Sequence, residues 1–154
     1  MLRACSINIR NLQKASKSLK GNEDFILSLI FNDESAFVYA DQSLQNDIEF
    51  AKKAIACNPD VYFYLPFKMV GDREIALLAA SRKIPLKYID TNFYTDKEIV
   101  IASLDSLTSE QSYLLLSIKM QEDKDVFEAY INSIPKNKSV KIPKEIAEKL
   151  LQIL

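Results

Sequence analysis

Three acidic pairs are the first residues in this chain equipped for chemistry: Asp47 with Glu49, Asp72 with Glu74, and Asp96 with Glu98. Paired carboxylates can hold a divalent cation, or divide general acid and general base work between them. Each pair lies in one recurring phrase, Asn46-Asp47-Ile48-Glu49-Phe50, then Gly71-Asp72-Arg73-Glu74-Ile75, then Thr95-Asp96-Lys97-Glu98-Ile99. A metal or acid–base site needs acids that converge on one point, whereas a repeat spreads them along a row. Helix capping accounts for the same residues. Asn46, Gly71 and Thr95 are N-cap types, and Glu49, Glu74 and Glu98 follow at the spacing of a capping box. Asp47, Asp72 and Asp96 then fall in the first turn, where exposed N–H groups favour negative charge. On this reading Thr95→Ala costs about 1 kcal/mol.

Little else points to catalysis. The chain has no histidine, no Gly-rich phosphate loop, no G-x-S-x-G elbow and no cysteine pair at metal-ligand spacing. Cys57 follows an apolar helical pattern and precedes Asn58-Pro59 with no base nearby in sequence, which suits a buried structural thiol. Neither an enzyme nor a cofactor is expected.

Binding has more to stand on. Tyr62, Phe63, Tyr64, Phe67, Tyr88, Phe93 and Tyr94 are interleaved with Arg73, Arg82, Lys83 and Lys87. Aromatic and arginine side chains anchor protein interfaces, and the same mixture can stack on single-stranded nucleic acid. Tyr62, Tyr64, Tyr88 and Phe93 are expected in the core, leaving Phe63, Phe67 and Tyr94 as exposed aromatics beside Arg82, Lys83 and Lys87. Phe67, Arg82 and Tyr94 are expected to be solvent-accessible. Such a patch suits a partner with acidic and apolar surface.

The elements that position these residues follow from the period of about 25 residues. With Asp47, Asp72 and Asp96 as the reference position, the residues three, four, seven and eight later are Phe50, Ala51, Ala54 and Ile55; Ile75, Ala76, Ala79 and Ala80; Ile99, Val100, Ser103 and Leu104. That spacing is one face of an α-helix. The same face follows Asn22 (Phe25, Ile26, Leu29, Ile30), Asp123 (Val126, Phe127, Tyr130, Ile131) and Pro143 (Ile146, Ala147, Leu150, Leu151). Ahead of the reference stands a shorter apolar pattern: Phe37, Tyr39, Ala40 and Leu44; Tyr62, Tyr64, Leu65 and Met69; Leu86, Tyr88, Ile89 and Phe93. In the first unit Leu12, Ala15 and Leu19 recur with Lys14 in the tyrosine position. Pro59, Pro66 and Pro85 point to partly 3₁₀ geometry there. Five residues past the reference, Leu77 and Ile101 widen the stripe, as deeper burial or as a groove floor.

The predicted fold is therefore all-α: one domain, 1–154, forming an α-solenoid-like array of about six helix–turn–helix units at 11–31, 32–57, 58–81, 82–106, 107–133 and 134–154. The D-x-E-hydrophobic helix start, the Leu86-Lys87-Tyr88-Ile89 stretch and the unit length resemble the domain of unknown function 4116 family of short helical repeats, found in bacteria and some protists. The best match runs from about Phe37 to Leu104, with extension by pattern to Asn11 and Leu154. The resemblance implies a helical repeat and supplies no catalytic residues. Pro143 departs from the family's acidic reference, although proline is a normal first helical residue.

Composition agrees with a folded helical domain: 48% hydrophobic, 27% charged, with two glycines and five prolines. A net charge of -1 gives no global drive toward nucleic acid or anionic membrane. Residues 1–20 nevertheless carry Arg3, Arg10, Lys14, Lys17 and Lys20 with no acid, and residues 21–60 carry eight acids against Lys52 and Lys53. Cys5 and Cys57 are unclustered, as in a reducing compartment, and no signal-peptide core or membrane-length apolar run is present. The expectation is a cytoplasmic monomer, with export by a specialised route left open. Its expected role is that of a non-catalytic module binding a protein partner through one face. The alternative is an RNA- or nucleotide-contacting module using Arg82, Lys83 and Lys87.

Overall fold

The structure, a computed structural model, describes Arg3, residues 8–104 and 109–135, Lys144 and Glu148. Cys5 and the stripe Ile146, Ala147, Leu150, Leu151 and Leu154 lie outside the described residues. Among the described residues every regular element is helical and none is a strand. The long helices are α1 Glu23–Ile30, α2 Ile48–Cys57, α3 Arg73–Ser81, α4 Lys97–Leu104 and α5 Lys124–Ser133. Each begins one residue after its reference position.

That register moves the caps. Asp47 itself is the N-cap of α2, with extended backbone (φ -90°, ψ 117°) and a carboxylate that accepts from the N–H groups of Glu49 and Phe50 at 2.8 and 3.1 Å. Asp72 accepts from Glu74 and Ile75 at 2.9 and 3.1 Å, and Asp123 from Asp125 and Val126 at 3.1 and 3.2 Å. Asp96 does the same for Glu98 and Ile99 at 3.2 and 3.4 Å, and Asn22 caps α1 through Phe25 N–H at 2.8 Å. Asn46, Gly71 and Thr95 are therefore not the N-caps. The reason is that Asn46 and Gly71 close the preceding one-turn helix: the Asn46 N–H and side-chain amide both donate to the Gln42 carbonyl. Thr95 lies in the turn between Tyr94 and the true cap. The expected capping boxes fail for a related reason, since the Glu49 and Glu74 carboxylates are drawn to Lys52.

The pattern ahead of each long helix resolves into two pieces where one short helix was expected. A 3₁₀ segment (Ile9–Lys14, Glu34–Tyr39, Pro59–Tyr64, Leu86–Tyr88) is followed by a single turn (Lys17–Lys20, Gln42–Gln45, Phe67–Val70, Thr91–Phe93). In the fifth unit the pieces are Ser109–Leu114 and Ile118–Gln121, both α-helical. Between the pieces two residues are extended, as in Ala40 (φ -60°, ψ 161°) and Asp41 (φ -62°, ψ 147°). Ser16, Asp41 and Ser117 then cap the single turn, while Asn8, Asp33 and Asn58 cap the 3₁₀ segments.

The chain divides into two compact units, Met1–Arg82 and Lys83–Leu154, at the border between the third and fourth repeats. Lys83, the first residue of the second unit, has φ 71°. That left-handed conformation costs a β-carbon-bearing residue about 1 kcal/mol. In the first unit α1 packs on α2 and α2 on α3, and the three 3₁₀ segments pack in the same order. The four expected core positions of α2 and α3 are fully buried, and Phe37 of the 3₁₀ layer stacks on Phe50 of α2 with centroids 5.8 Å apart. In the second unit α4 packs on α5, and Tyr113 stacks on Tyr130 at 4.1 Å. On the long helices two expected core residues fall short of burial: Phe25 is half-buried and Ile131 is exposed. The widened stripe at Leu77 and Ile101 is half-buried.

Candidate functional site

The repeated acids spend their chemistry on the fold. Each reference aspartate holds two N–H groups of its own helix, and the acid two residues on is free to reach a neighbouring helix. Lys52 of α2 bridges Glu49, at 2.9 Å, and Glu74 at the start of α3; both hydrogen bonds hold its ammonium in the charged form and raise its pKa. Lys53 reaches Glu23 of α1 at 2.7 Å. In the second unit Lys97 of α4 pairs with Asp123 and Asp125 of α5, which lowers the Asp123 pKa. Among the described residues no cluster of acids or cysteines is placed to hold a metal ion.

A second recurring device sits two residues before the reference position. Except for Val70 in the third repeat, its side chain donates to a carbonyl of the preceding 3₁₀ segment, or of Ser109–Leu114 and its following turn, where helix termination leaves oxygens without a donor. Lys20 reaches the Gln13 carbonyl at 2.9 Å, and Gln45 reaches those of Val38 and Ala40 at 3.0 and 2.8 Å. Gln121, almost fully buried, reaches Tyr113 and Leu116 at 3.0 Å each, and the Tyr113 hydroxyl returns a 2.6 Å bond to the Gln121 carbonyl. Burial against Tyr130 pushes the Tyr113 pKa up to about 12, so its hydroxyl stays protonated and donating. Tyr94 occupies this position in the fourth repeat: its hydroxyl donates to the Leu86 carbonyl at 3.1 Å, and burial raises its pKa. Its expected solvent accessibility is corrected accordingly, because Tyr94 is half-buried and engaged in tying its own repeat together.

Phe63 and Phe67 are different. Phe67, on the exposed side of the turn Phe67–Val70, is 87% accessible, and Phe63 is 51%. Tyr64 and Tyr88, expected in the core, are 38% and 49% accessible, and Phe93 is half-buried. In the 3₁₀ segments, with three residues per turn, positions three apart lie on one side. Residues ten and seven before the reference share the inward side and are buried in every described repeat, as with Tyr62 and Leu65. The residue eight before lies off that side: Lys14, Tyr64 and Tyr88 are exposed and Tyr39 is half-buried. The residue nine before is exposed as well, which adds Val38 to the surface. Since the segments Glu34–Tyr39 and Pro59–Tyr64 pack side by side, Val38, Tyr39, Phe63 and Tyr64 stand on adjacent strips of one layer, with Phe67 beyond them.

Two overlapping stretches of the chain, residues 1–45 and 22–70, match the family model described as Domain of unknown function (DUF4116). Residues 1–70 match DUF4116. No curated protein and no solved structure matches the chain. The matches overlap with an offset of about one repeat, as expected when one model is laid twice on an array. They lie nearer the N-terminus than the Phe37–Leu104 span expected from the residues. The fourth repeat, which lies beyond the match, lacks the Asn or Asp that opens the earlier 3₁₀ segments, has Arg82 there followed by left-handed Lys83, and keeps only Leu86–Tyr88 of the segment.

Among the binding residues expected from sequence, Phe63 and Phe67 lie in the DUF4116-matched part, and both belong to the first compact unit. Arg82 closes that unit, while Lys83, Lys87 and Tyr94 belong to the second. Arg82, Lys83 and Lys87 are all exposed, and Lys87 lies over the Tyr88 ring at 4.7 Å. Cys57 is half-buried at the end of α2, its thiol 3.7 Å from the Leu27 carbonyl of α1. Tyr64 and Tyr88 were expected in the core because their positions recur with the buried ones, and Val38 was not singled out; the run Asn8, Asp33, Asn58 marks the start of the 3₁₀ segments in the first three repeats.

Proposed function

We propose that this chain is a non-catalytic module that binds another protein through the 3₁₀ layer of its first unit. The observation that carries the reading is the exposure of Val38, Phe63, Tyr64 and Phe67 on segments whose inward positions are already filled by Phe37, Tyr62 and Leu65. Aromatic side chains of this kind are the usual anchors of an interface, and their clustering on one layer is uncommon on a surface meant only for water. The repeats act as an α-solenoid-like array in the sense that consecutive units stack within Met1–Arg82 and offer equivalent residues in rows. The protein works as a monomer in a reducing compartment, which suits the free, half-buried Cys57.

The test is affinity capture from host lysate with the wild-type chain and with Phe63→Ala/Phe67→Ala, after circular dichroism shows equal helicity. Proteins retained by the wild type and lost with the variant support the reading. Equal capture by both removes it. Recovery of RNA, with loss on raising salt and on charge reversal at Arg82, Lys83 and Lys87, would favour the nucleic-acid alternative.

A further inference from the structure

The same layer is graded along its length. In the row eight residues before the reference stand Lys14, Tyr39 and Tyr64; in the row nine before, Gln13, Val38 and Phe63; in the row five before, Lys17, Gln42 and Phe67. Each row passes from a polar or cationic residue in the first repeat to an aromatic one in the third. Arg10, Lys14 and Lys17 are exposed, and residues 8–22 contain no acid. Lys17 and Lys20 act on Asp41, whose pKa is lowered chiefly by hydrogen bonds from Ser43 and further by these two lysines. Lys20 is also tied to the Gln13 carbonyl at 2.9 Å. Arg10 and Lys14 make no ion pair among the described residues.

We infer that this face takes a protein segment with carboxylates at one end, seated on Arg10, Lys14 and Lys17, and bulky apolar side chains at the other, seated on Val38, Phe63 and Phe67. The inference rests on the protein-binding reading above and gives it a partner chemistry and a direction. Neighbouring helical elements lie about 8–10 Å apart, so the first to third segments span roughly 20 Å. An extended peptide covers that in about six residues. Single-stranded nucleic acid fits less well, because it carries a phosphate at every step and needs cations along its whole path. Glu34, Asp41 and Asp60 accompany the aromatic two-thirds of the layer.

The experiment pans random peptides of about twelve residues, displayed on phage, against the immobilised full chain, and measures recovered peptides by fluorescence anisotropy. Recovered sequences are expected to carry Asp or Glu at one end and Phe, Leu or Trp at the other. Phe63→Ala/Phe67→Ala should weaken binding about thirtyfold or more. Arg10→Glu/Lys14→Glu should weaken it about tenfold and remove most of its dependence on salt between about 50 and 500 mM. Circular dichroism checks that these surface variants keep the fold. Peptides recovered without an acidic end, or affinity untouched by the charge reversal, overturn the inference. If the aromatic pair still matters in that case, the protein-binding reading survives alone; if neither pair matters, both fall. Oligouridylate competing the peptide off the wild-type face also overturns the inference.

Discussion

Asp47 and Asn46 separate two accounts of the helix start that differ by a single residue. The Asp47 carboxylate takes the Glu49 and Phe50 N–H groups at 2.8 and 3.1 Å, and Asp47 is exposed, so on Asp47→Ala the outer N–H can turn to water. The loss is then that of an ordinary N-cap, about 1 kcal/mol, to which removal of a negative charge from the helix N-terminus adds about 0.5 kcal/mol. Asp47→Asn keeps an acceptor oxygen and loses the charge alone, for a cost near 0.5 kcal/mol. Asn46→Ala gives up one exposed side-chain bond to the Gln42 carbonyl, worth at most about 0.5 kcal/mol.

Urea unfolding followed by circular dichroism reads these directly. With a slope of about 2 kcal/mol per molar, Asp47→Ala should lower the midpoint by roughly 0.7 M, and Asn46→Ala by less than about 0.3 M. Thr95→Ala should likewise leave the midpoint nearly unchanged, whereas Asp96→Ala should lower it. Equal losses from Asn46→Ala and Asp47→Ala would refute the cap register. So would a Thr95→Ala cost near 1 kcal/mol, the value expected of a true N-cap.

Other consequences follow from the tertiary contacts. Tyr94→Phe removes the bond to the Leu86 carbonyl and should cost about 1 kcal/mol in thermal or urea unfolding, with no further loss expected of a binding residue. Lys83→Gly relieves the left-handed strain at φ 71° and should be neutral or stabilising by up to about 1 kcal/mol, while Lys83→Val should destabilise. For Asp123 the folded pKa lies below the model-compound value of 3.8, chiefly through Lys97. As pH falls the unfolded chain therefore takes up the proton first, and the contribution is complete above that value and lost as pH drops through the folded one. The gap in urea midpoint between wild type and Asp123→Asn should be constant near neutrality and narrow as pH falls below 3.8.

The long helices were legible because their burial follows one simple rule. Residues at three, four, seven and eight past the reference lie on one α-helical face, and in α2, α3 and α4 every one of them is buried. Even Ser103, the polar exception in that pattern, is buried with its hydroxyl donated to the Val100 carbonyl at 2.7 Å. The cap register was not legible at single-residue precision, because Asn46, Gly71 and Thr95 are acceptable cap types and only the end of the preceding turn excludes them. The apolar period does not record that a one-turn helix intervenes. Its markers are Ser16, Asp41, Pro66, Asp90 and Ser117, each six residues before the reference and each suited to begin a turn.

The candidate surface was half legible for the opposite reason. Composition gave the aromatics, and their recurrence assigned them. Residues ten, eight and seven before the reference recur together as apolar or aromatic positions, so Tyr64 and Tyr88 read as core and only Phe63, Phe67 and Tyr94 remain outside. With three residues per turn, ten and seven eclipse each other and eight lies off that side. The outward tyrosines then join Phe63, while Tyr94 drops inward to serve the carbonyl that the short 3₁₀ segment leaves open. The same geometry that creates the unsatisfied carbonyls thus also creates the exposed row. In the fifth repeat, where both short pieces are α-helical, Leu114 and Leu115 are likewise exposed at the equivalent positions, and Gln121 fastens the carbonyls of Tyr113 and Leu116. An exposed row and an internal fastening thus accompany the short segment in its 3₁₀ and in its α-helical form, with the residues ten and seven before the reference turned inward in each.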